Sequence, residues 1–498
     1  MITVAAGESR TFYPNNNGQS FRVCANGGVC GSVSGVVNGN AISAVQIGPT
    51  PLNQAFGPMV SGDFLTVAVQ VGGATVFKVS PESEVDESPV GPFPDLATLA
   101  ATYPAASNPG QTAMAFGVMY DAIGGTWVAR YRPDQVSFSN FKVSNTNTLR
   151  RIVADARAGY ARSRLGVFGM STEAGAGSLS GTLYGTNNRS KSWPMLLASI
   201  LKARGINASA DYIVGGGNKS AAALPAFDSR IAFTNTAETL AVQLWGGPTF
   251  QMTATTGQIT FTPANPFDRI MIASASSGGN SVITAVGNGG ATSGTLNTSG
   301  AAGVVYADNA CSAGSTVATL TCGAGGGAFP FLIGTRDSTK PGIEVINAGW
   351  GASGTPDWNS AAAWNCNQAF DAILDGNALN CSILCLDIND AYFGVAQATY
   401  RANLDALLTK LKSKGDVIVK ISPPVGLAAV PQATQDAYWA IAIAAVTAAD
   451  LPCVDMRSVF PIRATALKDG IARDDLHNTA RGYAIEAEVM ARALTLMV

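Results

Sequence analysis

His477 is the only histidine among 498 residues, in the stretch Arg473-Asp474-Asp475-Leu476-His477-Asn478-Thr479. Imidazole is the side chain whose unperturbed pKa lets it take and return a proton near neutral pH, so any imidazole chemistry here falls on this residue. Asp474, three positions ahead, can turn back onto the ring and hold its tautomer, as the third member of a triad does. The plainer reading is a helix start with Asp474 or Asp475 as N-cap. A general base also needs a nucleophile and donors for developing negative charge. Three stretches supply such residue types: Gly169-Met170-Ser171-Thr172-Glu173, Asn347-Ala348-Gly349-Trp350-Gly351-Ala352-Ser353-Gly354 and Asp387-Ile388-Asn389-Asp390. Taken singly, Ser171 reads as a helix N-cap with Glu173 in the first turn, Asn389-Asp390 as a turn, and Gly349-Trp350-Gly351 as a tight strand exit.

The elements around these stretches give them a common place. From about residue 148 the sequence alternates strands and helices. Apolar strands are expected at 164–170, 342–347, 382–387, 416–421 and 452–456. Helices are expected at 192–205, 361–374, 398–412, 433–449 and 480–496. This order predicts an α/β fold, a three-layer, doubly wound, mostly parallel sheet. Ligands bind at the carboxyl ends of such strands, and all four stretches follow a predicted strand. The strand at 416–421 is followed only by Ser422-Pro423-Pro424.

The rhythm fails between 228 and 338, where short strands with Gly, Ser and Asn turns predict a β-sandwich inserted into the domain at 148–498. Two roles for it stay open, gripping an extended substrate or making a trimer or stability contact. Residues 1–80 read as a small β domain for attachment or assembly, with 66–71 and 74–79 as a hairpin about Gly72-Gly73. Residues 81–147 hold an acidic, Pro-rich linker at 80–95, a short helix at 95–104, and a hairpin of 111–120 with 126–131. Cys24 with Cys30, and Cys311 with Cys322, flank Gly-rich loops where a disulfide could staple a hairpin, while Cys366, Cys381, Cys385 and Cys453 read as buried small hydrophobes.

Composition narrows the function. The 47% hydrophobic and 13% charged residues describe a globular chain. A net charge of −2 with no basic run argues against nucleic-acid binding as the main task. The N-terminus lacks a basic region followed by an apolar core, so no signal peptide is expected, and no apolar run suggests membrane insertion. One histidine and no Cys-x-x-Cys pair argue against a metal site, and no cofactor is expected.

The four stretches, in this order, resemble the SGNH/GDSL esterase family over about 160–227 and 339–498. The resemblance implies Ser171 as nucleophile, His477 as base and Asp474 as its orienting partner. It implies an oxyanion hole of the Ser171 N–H, the Asn389 side chain and a glycine N–H, with Gly351 favoured and Gly354 in reserve. Trp350 and Tyr392 read as pocket walls that would bind substrate, or else as core; Ser178 is a second serine further into the loop. The sequence departs from the family pattern at Met170, where Asp is usual, and at Asp387, where Gly is usual; the usual glycine spacing after Asn347 falls on Ala352. Residues 95–133 resemble small modules of bacteriophage tail fibres and tailspikes; the plain alternative is an α+β connector. Together the resemblances imply a carbohydrate O-acetylesterase of a virion tail or the extracellular space. Its partners would be a bacterial surface polysaccharide, other virion tail proteins and, as a homotrimer, copies of itself. The alternatives are a non-catalytic adhesin on an esterase scaffold, which Met170 and Asp387 favour, and a secreted lipase or thioesterase, against which the absent signal and acyl-chain groove count.

Overall fold

The structure is a computed structural model. It describes the backbone of the strands up to residue 92, then backbone with side chains except for short stretches, among them 94–96, 109–112, 128–135, 218–222, 235–242 and 496–498. Residues 1–130 and 131–498 form two compact units.

In the first unit, eight strands between Ile2 and Val79 form two four-stranded sheets. The hairpin expected about Gly72-Gly73 is not formed. Phe64–Val71 pairs with Ser9–Phe12 and Cys30–Val37, whereas Ala74–Val79 pairs with Ile2–Val4 and Gln19–Ala25 in the other sheet. Alternation identifies a strand but not its partner, which long-range packing decides. Strands Val90–Phe93, Thr112–Ala115, Val118–Ile123 and Thr126–Tyr131 form a third sheet beside a helix at Leu96–Thr102. The single strand expected at 111–120 is thus two, paired with each other. Leu99 and Ala113 form a small core there with Phe93, Tyr103, Tyr120 and Trp127.

The second unit is built on a seven-stranded sheet. Its strands are β1 (Ser137–Ser139), β2 (Ser163–Gly169), β3 (Ala208–Ser209), β4 (Ile343–Gly349), β5 (Leu379–Cys385), β6 (Asp416–Ile421) and β7 (Cys453–Asp455). Their order is β1-β7-β6-β5-β2-β4-β3, parallel throughout except for β1, which runs antiparallel on β7. Every residue of β2 and β4 is buried, as helices on both faces require. The helices that flank the sheet or follow its strands are α1 (Asn147–Ala158), α2 (Ser171–Ala174), α3 (Trp193–Ala203), α4 (Thr355–Trp358), α5 (Cys366–Leu374), α6 (Ile388–Tyr392), α7 (Gln397–Lys412), α8 (Gln432–Ala448), α9 (Arg463–Lys468) and α10 (Ala480–Thr495), and a further helical turn, Leu224–Phe227, lies between β3 and β4. Helix α10 packs on α3 and α1, and α7 packs on α5 and α8. The unit begins before the expected boundary at 148, because β1 completes the sheet edge and α1, absent from the sequence reading, covers β5.

Between β3 and β4 lie a four-stranded sheet, which includes Tyr212–Val214 from before residue 228, and a five-stranded sheet. They share a core: Ile213, Ile270, Ile272 and Ile333 of the first meet Ile259, Phe261, Ile283 and Leu320 of the second. Cys311 and Cys322 are both free and buried, so the disulfide is not formed. Cys311 lies in Gly303–Ser315 of one sheet and Cys322 in Ala318–Cys322 of the other, so they are not arms of one hairpin. Cys366, Cys381, Cys385 and Cys453 are buried as expected.

A buried charge cluster ties these sheets to β2 and β4. Arg164 donates to the Tyr306 hydroxyl and the Ile373 carbonyl, with Nε 3.6 Å from Glu344 Oε2. The Tyr212 hydroxyl donates to Glu344 at 2.7 Å, and Asp308 accepts from Arg162, Arg269 and Arg336 at 2.7–2.9 Å. Removing one member of a buried ionic group leaves its partners uncompensated. Arg164→Met is therefore expected to lower the unfolding free energy by about 3–5 kcal/mol, read by denaturant titration.

Candidate active site

Strands β2, β4 and β5 end level: Gly169 is in register with Gly349 and with Cys385. Three of the four stretches therefore begin on one rim of the sheet. After Gly169 the chain turns at Met170 into the single turn of α2, whose first residue is Ser171. Glu173 holds the turn, its Oε2 accepting from the Met170 N–H at 2.9 Å and the Thr172 hydroxyl at 2.8 Å. The turn lies directly on the end of β4, where a Cβ on Gly349 would come 2.1 Å from Ala174 N. Only glycine allows that approach.

The base arrives on the loop before α10. The Ser171 hydroxyl is 2.9 Å from His477 Nε2, and His477 Nδ1 is 3.1 Å from Asp474 Oδ2. With Nδ1 facing a carboxylate, the ring carries its proton there and leaves Nε2 to accept from the serine. Asp474 Oδ1 also accepts the Leu476 and His477 N–H groups at 2.8 and 2.6 Å. Burial works to raise the Asp474 carboxyl, but the His477 ring and these N–H groups outweigh it and hold it well below the usual range. The two loops are tied together: Tyr483 Oη donates to the Ala176 carbonyl at 2.7 Å, and the Ala480 N–H to that of Ser178 at 2.6 Å. Gly177, with φ of +79°, sits where a Cβ would come 2.8 Å from His477 Cβ. Ser171 and His477 are recessed, 5% and 7% exposed.

The remaining groups face the same rim. Asn389 lies in the first turn of α6; its Nδ2 donates one hydrogen to the Ser353 carbonyl at 2.8 Å, which leaves a second. The Gly354 N–H is occupied by Asp357 Oδ2 at 2.8 Å, which removes the reserve donor. Among the described residues, the N–H groups of Ser171, Gly351 and Ala352 have no hydrogen-bond partner. Ala352, at the family's glycine spacing, has φ of +62°, the left-handed region that favours glycine.

Residues 311–485 match the model of the GDSL-like lipase/acylhydrolase family. The chain thus carries a GDSL-like acylhydrolase domain. The match takes in Asn389, Asp474 and His477 and leaves Ser171 outside. A solved peptidoglycan O-acetylesterase has the same fold, with a TM-score of 0.55 at 14% identity, over 72% of this chain and 97% of that one. An acetylxylan esterase from Geobacillus stearothermophilus aligns over 31% of this chain and 73% of its own at 20% identity and a TM-score of 0.26. A lipase/acylhydrolase from Enterococcus faecalis aligns over 30% and 75% at 21% identity and a TM-score of 0.25. No curated protein matches the chain.

Both departures from the family pattern have a structural account. Met170 is a buried core side chain, and its N–H is served by Glu173. Asp387 is the N-cap of α6, accepting from the Ile388 N–H at 2.6 Å and from the Ser422 N–H and hydroxyl at 2.9 and 2.7 Å. Trp350 belongs to the core, with its ring against Trp358 at 5.9 Å, rather than to an open wall. Tyr392 is half exposed and touches the equally exposed Phe393 at 5.3 Å. Ser178 is buried and donates to the Asn188 carbonyl at 2.6 Å, so it is not a free nucleophile.

Sequence reasoning read Asp390 only as part of a turn and passed over Lys420. Asp390 accepts from the Thr355 N–H at 3.0 Å and hydroxyl at 2.6 Å, which joins α6 to α4 beside Asn389. Its carboxyl is pushed up to about 6 by burial, against the bonds from Thr355. Because the folded value lies above the ordinary one, folding favours the protonated form. That contribution is complete below about pH 4 and is lost as pH rises through 6. The unfolding free energy of the wild type minus that of Asp390→Asn is expected to fall by about 2 kcal/mol between pH 4 and 6.5, measured by urea titration.

Proposed function

We propose that the protein is a serine esterase that removes O-acetyl groups from a bacterial surface polysaccharide. The observation that carries the reading is the 2.9 Å contact of the Ser171 hydroxyl with His477 Nε2 while Asp474 holds Nδ1. In this mechanism Ser171 Oγ attacks the acetyl carbonyl carbon as its proton passes to Nε2. The oxyanion takes hydrogen bonds from the Ser171 and Gly351 N–H groups and from the second Asn389 Nδ2 hydrogen. The C–O bond to the sugar breaks, and the alkoxide leaves with the proton from His477. Water, deprotonated by the same Nε2, then attacks the acetyl-enzyme, and acetate departs as Ser171 regains its proton.

The carbohydrate part of the reading has two supports. One is the fold shared with a peptidoglycan O-acetylesterase. The other is the exposed Tyr392–Phe393 pair, placed one helical turn from Asn389, where aromatic faces could meet a sugar ring. The tail-fibre part rests on the resemblance of residues 95–133 to tail-fibre modules; a virion tail location, tail-protein partners and a homotrimer belong to that part of the proposal. The adhesin reading loses its motive, since Met170 and Asp387 each have a structural role.

Ser171→Ala is expected to reduce acetate release from an O-acetylated polysaccharide, and p-nitrophenyl acetate turnover, to background while the melting temperature holds. Unchanged turnover would rule the mechanism out. Asn389→Ala is expected to cost about 10²–10³-fold in kcat. Phe393→Ala with Tyr392→Ala should raise KM for the polysaccharide and leave p-nitrophenyl acetate hydrolysis alone; equal effects on both would remove the sugar platform.

A further inference from the structure

Beneath the Ser171–His477 pair runs a chain of buried side chains that the ester mechanism leaves unused. It starts at Glu173, which fixes the Met170 N–H with Oε2 and accepts from Lys420 Nζ at 2.8 Å and Trp193 Nε1 at 3.2 Å with Oε1. Lys420 Nζ also lies 2.6 Å from Glu486 Oε2. Glu486 Oε1 accepts from Asn478 Nδ2, and Asn478 Oδ1 accepts from Arg463 Nη1 at 2.7 Å. Arg463 completes the path, donating from Nε to the Asp474 carbonyl at 3.0 Å and from Nη2 to the His477 carbonyl. The path thus connects the turn that carries the nucleophile to the backbone of the base and of its carboxylate partner.

Lys420 is the residue out of pattern. Its neighbours on β6 are Val417, Ile418, Val419 and Ile421, all buried, and an apolar side chain would suit its place between β6, α3 and α10. A buried ammonium is retained only where its partners compensate it. Here Glu173, Glu486 and the Trp193 ring, at 5.0 Å, surround it. Burial opposes both charges, yet Lys420 holds the Glu173 carboxyl below its ordinary value, and the neighbouring carboxylates and Cys385 hold Lys420 above its own.

We propose that Lys420 is a positioning residue: by drawing Glu173 and Glu486 to one point, it sets the spacing between the Ser171 turn and the His477 loop. The inference rests on the esterase reading for its rate measurement and on geometry alone for its spectroscopic one. His477 is the only histidine, so its ring N–H gives a single imidazole proton signal in NMR spectra of the full chain.

Lys420→Met is expected to lower kcat for p-nitrophenyl acetate on the order of 10²-fold with KM little changed, and to shift or broaden the His477 ring N–H signal, at temperatures well below melting. Lys420→Arg should restore much of both. If Lys420→Met fails to fold, the same measurements go to Glu173→Gln/Lys420→Met/Glu486→Gln, which removes all three charges together and keeps an acceptor for the Met170 N–H. A folded variant with wild-type kcat and an unmoved His477 signal overturns the proposal. If the wild type hydrolyses no ester but the His477 signal still responds to Lys420→Met, the positioning role stands and the esterase reading fails.

Discussion

The organising constraint is a hydrogen bond between two side chains 306 positions apart, the Ser171 hydroxyl and His477 Nε2. A contact of that sequence separation cannot be made by local structure; it needs a rigid frame at each end. The frame for the nucleophile is the level ending of β2, β4 and β5, which brings Gly169, Gly349 and Cys385 into one row. The frame for the base is the start of α10, tied to the nucleophile's own loop through Tyr483 and Ala480. Each end alone is a turn; the register of a parallel sheet and one helix start make them a pair.

Around this pair the structure uses buried polar groups where apolar packing would have sufficed for stability. Glu173, Asp387 and Asp390 each hold the first turn of a short helix at the rim, by accepting backbone N–H groups that would otherwise be orphaned. Such short helices have little stability of their own, so their side-chain caps decide where Ser171 and Asn389 sit. Further from the rim, Arg164, Glu344, Tyr306 and Asp308 lock β2 and β4 to the antiparallel sheets between β3 and β4. Those sheets therefore hang from the strand that carries the nucleophile.

The places where sequence reasoning went astray share a cause. Phe64–Val71 and Ala74–Val79 were both legible as strands, but their assignment to different sheets is a choice among distant partners. Cys311 and Cys322 are close in sequence, yet the chain changes sheet between them. Helix α1 carries a buried face of Leu149, Ile152, Val153 and Ala156, a pattern present in the sequence and overlooked beside the stronger strands that follow. Lys420 could not be singled out, because a lysine in an apolar strand has no local signature for the two carboxylates that meet it.

From the sequence alone came the α/β alternation, the apolar strands, and the four stretches that end on the rim with Ser171, Gly351, Asn389, Asp474 and His477. These are legible because strand burial and helix periodicity write themselves into residue order, and because a lone histidine leaves one candidate for base. Only the tertiary structure decided which N–H groups stay unpaired, that Gly354 is occupied by Asp357, that Trp350 is core and Tyr392 rim, and that Lys420 joins the two loops from below. The physical reason is that hydrogen-bond occupancy and side-chain burial depend on residues brought together from hundreds of positions away, and no local pattern encodes which of them will meet.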